Sequence, residues 1–312
     1  MKVFLPGGAG LVGLNLIALL REQHPDWSLL VVDQKSAAVE IGRRLFPEVR
    51  FLVEDLVETR GLRWPEAIQD CEACVMLQAE IGNTDSTQFE RNTLRSTEVV
   101  LAQMRQTTIR RLVHLSSSVV NSIASDFYSQ TKRAQEELVL DHWPDAVVLR
   151  PTLMFGWFDR KHLGWLARFM RHSPLFPIPG RGRFLRQPLY VADVCQIIER
   201  CLVHPEVRGT FDISGLEKVT YLQLMAHLRE AIGARTRFLP VPIPLFSVLL
   251  RLWALLSRRP AFTTSQLHAL TAGDEFAVID WPGFFGVSAT PLGEALRITH
   301  QDPRYSHLEM PF

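Results

Sequence analysis

Apolar residues in the first half of the chain fall into short unbroken runs: Lys2 to Leu5, Leu29 to Val32, Arg50 to Val53, Ala73 to Leu77, Arg111 to Leu115 and Ala146 to Leu149. Between them lie stretches with helical apolar spacing, notably Leu11 to Arg21, Phe89 to Arg105 and Tyr128 to Leu140. Runs that are apolar throughout predict strands buried on both faces. Their alternation with helices predicts a parallel sheet covered on both sides. Right-handed crossovers then make the fold α/β and doubly wound. Beyond Leu149 the pattern becomes irregular, so residues 1–150 read as one domain and 151–312 mainly as a smaller C-terminal lobe. The chain is expected to return to the first domain around 186–215, with GTFDISG (Gly209 to Gly215) as a returning strand and turn. Asp193 is expected to cap a helix from Val194 to Leu202, and Thr220 to cap one from Leu222 to Ile232.

Composition mainly excludes. With 312 residues, 47% hydrophobic and 21% charged, the chain is an ordinary globular protein with room for a large core. Its net charge of +1 provides no basic field for nucleic acid. Cys71 and Cys74 form a C-x-x-C, but Cys195 and Cys201 are spaced differently and far off, so no metal site is predicted. Reduced thiols and an N-terminal apolar run limited to Val3–Leu5 predict a cytoplasmic protein without a targeting peptide. Phe238 to Pro260 is apolar with a basic end, too interrupted by prolines to span a bilayer. It reads as packing, or as an interfacial helix or substrate entrance near residues 241–256.

The glycines bring the chemistry. Gly7, Gly10 and Gly13 follow the first strand directly and open the first helix. Gly7 permits the sharp turn, Gly10 lets the backbone approach a pyrophosphate, and Gly13 lets helix and sheet pack closely. The phosphates of a dinucleotide would then sit at the helix N-terminus. Asp33 ends the second strand, 20 residues past Gly13, where a carboxylate accepts hydrogen bonds from ribose hydroxyls. That favours NAD as cofactor, while Lys35 and the Arg43-Arg44 pair leave NADP open.

From these residues onward the chain resembles the extended and atypical short-chain dehydrogenase/reductases, the NAD-dependent epimerase/dehydratase family. Pro6 to Gly13, with Leu11 and Val12 inside it, resembles T-G-G-A-G-F-I-G. Asp55-Leu56 matches the position that binds adenine, and Leu77-Gln78-Ala79 stands where the family has L-A-A beneath the cofactor. Asn92 matches the asparagine of N-x-x-G-T, with Ser96 replacing the glycine. Ser116-Ser117-Ser118 resembles the serine run, YSQTK the Y-x-x-x-K, and LRPTLMFG, which contains Pro151, the L-R-P-x-x-V-Y-G segment. RQPLYVADV resembles R-D-F-x-x-V-x-D-V. The resemblance implies a Rossmann domain, a substrate-binding lobe, and a homodimer through the Phe89 and Tyr128 helices.

It also implies a site. Tyr128 would act on a substrate hydroxyl, with Lys132 one helical turn on lowering a phenol pKa of ~10 and holding the nicotinamide ribose. Ser118 matches the catalytic serine position best, with Ser116 at the cofactor and Ser117 toward the substrate. Glu80 reads either as an acid or base near the substrate or as a solvated loop residue. Arg181, Arg183 and Arg186 are suited to a nucleotide diphosphate. The leading expectation is therefore an NAD-dependent epimerase, dehydratase or reductase of a nucleotide-activated sugar. Two features keep alternatives in view. Only ten positions separate Ser118 from Tyr128, against a longer connection in sugar-nucleotide epimerases, and the segment from Val241 to Leu256 is greasy. Both would suit a dehydrogenase or isomerase of a steroid-, polyketide- or prenyl-like alcohol or ketone. The C-terminal segments VPIPLFSVLLRLW, AFTTSQLHALTAGDEF and TPLGEAL resemble an atypical subgroup that includes relatives of the accessory nucleotide-binding subunit of respiratory complex I. This implies a third reading, a non-catalytic cofactor-holding assembly protein.

Overall fold

The computed structural model describes residues 1–81, 83, 85–122, 126–256, 267, 270–271, 275–308 and 310. Six strands arise where the apolar runs predict them: β1 (Lys2–Pro6), β2 (Ser28–Asp33), β3 (Arg50–Val53), β4 (Ala73–Met76), β5 (Arg111–Leu115) and β6 (Val147–Pro151). The strand Gly209–Ile213 joins them at the edge beside β6. From that edge the order is β6, β5, β4, β1, β2, β3, all parallel. The order reverses at β1, so a crevice opens between the C-terminal ends of β1 and β4, where ligands of such sheets bind.

Alternation along the strands builds two apolar layers. Val3, Leu5, Val31, Val75, Val113 and Val147 point to one face, where helix α1 (Leu11–Gln23) packs beside the helix Val191–Val203. Phe4, Leu30, Val32, Cys74, Met76 and Leu112 point to the other, under the helices Ser96–Met104 and Phe127–His142. All four cysteines are buried and unpaired by disulfides, with burial pushing the Cys71 thiol up to about 12.

A third apolar cluster lies in the C-terminal half. It joins the helix Leu163–His172, the strand pair Leu175–Pro179 and Arg237–Val241, the helix Tyr221–Ala231 and the helix Leu292–Gln301. Thr220 caps its helix as expected, in a reciprocal box with Gln223.

One expectation needs correction. The helix around Asp193 begins at Val191, so Asp193 lies in its first turn rather than at its cap. The buried carboxylate instead accepts the Thr290 amide (2.9 Å) and hydroxyl (2.6 Å), pinning the C-terminal segment to this helix. The helix predicted from Phe89 to Arg105 is present and runs unbroken from Ser86 to Met104, with a π-helical stretch, Glu90–Arg95, in its middle. The greasy segment forms the helix Ile243–Leu256. Among the described residues no helix is long and apolar enough to cross a membrane. Most of AFTTSQLHALTAGDEF lies outside the described residues.

Candidate active site

One cavity of about 540 Å³ runs from the glycine turn to the C-terminal lobe, within the range of small-molecule sites. At its inner end the chain leaves β1 at Gly7, whose φ is +74° and whose amide donates to the Val32 carbonyl at 2.8 Å. A Cβ there would lie 2.6 Å from the Gln78 backbone, so only glycine fits beneath β4. At Gly13 a Cβ would lie 2.2 Å from the Gly8 carbonyl oxygen. Gly10, Leu11, Val12 and Gly13 line the cavity. The amides opening α1 have no helical partner, and the positive end of its dipole faces this space.

Asp33 lies beside this turn. Its carboxylate accepts the amides of Ala9 (3.3 Å) and Lys35 (2.9 Å), while burial lifts its pKa above the ordinary carboxylate value. Asp55 accepts the Val57 amide (3.0 Å) and an Arg91 guanidinium N–H (2.7 Å), and Leu56 packs against the cavity. Asn92 stands in the π-helical turn, where such insertions commonly serve function. It donates to Glu80 Oε2 at 2.8 Å, and the Ser96 hydroxyl caps its carbonyl at 2.7 Å. Glu80 is half-buried in the cavity wall and held by this bond. Arg160 and Lys161, which sequence reasoning missed, line the cavity with Lys35. Burial and then repulsion from Arg160 and Lys35 bring Lys161 down to about 8.

The strand β5 delivers the serines and the helix Phe127–His142 the tyrosine and lysine. Asp126 opens that helix by accepting the Ser129 amide at 2.8 Å. Lys132, 2% exposed, donates to the Leu115 carbonyl (2.9 Å) and to Gln135 Oε1 (2.6 Å). Gln135 in turn donates to Thr97 (2.8 Å) and to the Gln78 carbonyl (3.2 Å), and Gln78 donates to Thr97 at 3.3 Å. This buried chain of polar groups positions the ammonium, and its burial brings the lysine pKa down to about 7. Nothing in the sequence spacing announces it, because Gln78, Thr97 and Gln135 come from three different elements.

The three serines divide their work. Ser116 donates to Glu136 at 2.6 Å, and Glu136 pairs with Arg150, so this serine ties β5 to β6. Burial raises the Tyr128 phenol above its ordinary pKa, and Ser117 beside it pulls the other way. Ser118 is buried where a 3-10 turn begins, and it too lines the cavity. Ser117 and Ser118 both line the cavity that Tyr128 enters. Ile123 to Ser125, within the short connection to Tyr128, lie outside the described residues.

Toward the lobe, Pro151, Leu153, Met154, Phe158, Trp165 and Leu166 form an apolar wall. Phe158 holds a φ of +65°, a strained conformation for a bulky residue, and packs on Tyr305 with ring centres 5.2 Å apart. Arg186 lines the cavity and donates to the Leu270 carbonyl. Arg181 and Arg183 are exposed and do not line it.

This geometry has relatives. Residues 3–214 match the model of the NAD dependent epimerase/dehydratase family. The chain belongs to that family. Its cofactor is accordingly NAD, and the glycine turn, the open end of α1 and the buried Asp33 fit one. The chain is 28% identical over 250 residues to rat mitochondrial NADH dehydrogenase [ubiquinone] 1 alpha subcomplex subunit 9, covering 78% of this chain and 64% of that one. It is 27% identical over 215 residues to a 4-hydroxy-2-methyl-3-oxo-4-farnesyl-3,4-dihydroquinoline-1-oxide ketoreductase of Stigmatella aurantiaca, covering 63% of each. The chain thus spans somewhat under two thirds of these curated relatives. In fold it is similar to UDP-glucuronic acid 4-epimerase from Bacillus cereus in complex with NAD, with a TM-score of 0.71 at 19% identity over 95% of this chain and 96% of that one.

Proposed function

We propose that the protein is an NAD-dependent oxidoreductase that interconverts a ketone and a secondary alcohol on a largely apolar substrate. The observation that carries this reading is the cavity wall. The Ser117–Tyr128 pair opens onto Leu, Met, Phe and Trp side chains, and two of the three arginines suited to a diphosphate turn away from it. The farnesyl-bearing substrate named for the Stigmatella relative supports the same substrate class.

The turn from Gly7 to Gly13 would hold NADH, which would supply the hydride, so that ketone, NADH and a proton give alcohol and NAD. Tyr128 and Ser117 donate hydrogen bonds to the carbonyl oxygen and polarise it. Burial keeps Tyr128 protonated at neutral pH, so its hydroxyl is poised to give the proton to the forming alkoxide. Lys132 would hold the ribose and, when charged, stabilise the phenolate left behind. A resting phenol of raised pKa favours the reductive direction.

A second reading is the nucleotide-sugar epimerase or dehydratase, favoured by Arg186 in the same cavity wall. Oxidation of NADH is measured with a panel of apolar ketones and a panel of UDP- and dTDP-linked keto sugars, with Tyr128→Phe as control. Turnover of the apolar panel, lost in the variant, is expected. Turnover of the sugars alone, or a fully active Phe variant, overturns the proposal. NAD binding without any turnover would point instead to a cofactor-holding role beside a protein partner.

A further inference from the structure

Outside the cavity lining, the helix Ile243–Leu256 presents an apolar ridge to solvent. Leu245, Val248, Leu249 and Leu252 are 51%, 49%, 49% and 53% exposed. Their i, i+3, i+4, i+7 spacing places them on one face, about 10 Å long at 1.5 Å per residue. Leu175 and Leu239, each 49% exposed, extend the apolar surface along the paired strands that lead into the helix. A ridge of this kind is more than scattered surface leucines.

The charges around it have one sign. Arg181, Arg183, Arg235, Arg237 and Arg251 are all exposed, and none has an acidic partner among the described residues. The turn that carries Arg181 lies against the start of the helix, since a Cβ on Gly180 would sit 3.5 Å from Ile243. The segments 174–186 and 235–259 contain eight arginines and not one aspartate or glutamate.

We propose that this face docks on an anionic lipid bilayer, with the leucine ridge in the headgroup boundary and the arginines on acidic headgroups. An interfacial helix needs both halves of this arrangement, apolar side chains and flanking cations. A second copy of the chain would supply only the apolar half, because a two-fold contact here would bring the two arginine rims together. The inference is independent of the substrate reading, and Arg181 and Arg183 acquire a task outside the cavity.

Sedimentation of the full chain with vesicles tests it. Vesicles of phosphatidylcholine alone and with about 30% phosphatidylglycerol are compared at low and high salt. Binding at least about tenfold tighter to the anionic vesicles, weakened by salt, is expected. Leu245→Glu/Leu252→Glu should abolish it while NAD affinity and melting temperature stay unchanged. Arg181→Glu/Arg183→Glu should bind both vesicle types equally weakly. Equal binding of the native chain to both vesicles, or no binding to either, overturns the proposal. So does a dimer in light scattering that Leu252→Glu converts to monomer, since the ridge would then be covered by a second copy.

Discussion

Lys132 provides the sharpest test of the site, through stability rather than activity. Burial brings its pKa from 10.5 down to about 7, so the unfolded chain binds this proton more tightly than the folded one. Between pH 7 and 10.5 the unfolded state therefore carries more protons, and stability rises with pH across that window. At about 1.4 kcal/mol per tenfold change in proton affinity, the buried amine weakens the fold by about 4 kcal/mol at pH 7 and about 2 kcal/mol at pH 9. Lys132→Met removes the titration. It also deprives the Leu115 carbonyl and Gln135 of their donor, a cost that is nearly constant with pH. The stability difference between native and variant chains should therefore move by about 2 kcal/mol in favour of the native chain from pH 7 to pH 9. His114 does not intrude: burial, then the charge of Lys132, holds its pKa well below 6.5, and it stays neutral throughout. Other titrating groups are common to both proteins and cancel. Urea unfolding of the cofactor-free chains at pH 7, 8 and 9 measures the difference. Parallel pH profiles would refute the claim that the fold holds this amine against its charge.

The serine assignment predicts an ordering of rates. Ser117→Ala should lower kcat by about 10²-fold or more, in line with losing a hydrogen bond to the reacting oxygen, and Ser118→Ala by less than about tenfold. The reverse order in steady-state assays on one substrate would restore Ser118. Gly13→Ala places a methyl 2.2 Å from the Gly8 carbonyl oxygen. It should cost roughly 2–3 kcal/mol, as overpacking does, and weaken NAD binding in calorimetry; a variant as stable and as tight as the native chain would contradict the close approach.

What could be read from the sequence follows the range of the interactions involved. The six first strands were legible because their runs are apolar on both faces, and the glycine turn because its spacing sits between a strand and a helix, although Gly7 answers to the Gln78 backbone far along the chain. Thr220 was legible because its partner Gln223 is three residues away. Asp193 was misread because its partner Thr290 lies 97 residues on. The π-helical turn at Asn92 was invisible, since one added residue per turn shifts a helical pattern without breaking it. The serine run is hard to read for a subtler reason. Its three residues are chemically identical, and what separates them is the change from β5 to a 3-10 turn, which directs the Ser116 hydroxyl to Glu136 and sets Ser117 and Ser118 on the cavity. Arginine number likewise suggested a diphosphate site, but composition cannot tell which way a loop faces. With Arg181 and Arg183 outside the cavity, the cationic character of that loop and the apolar character of the helix beside it belong to one surface. The sequence had offered them as features of two competing substrates, and their adjacency is what separates the question of where the protein sits from the question of what enters its cavity.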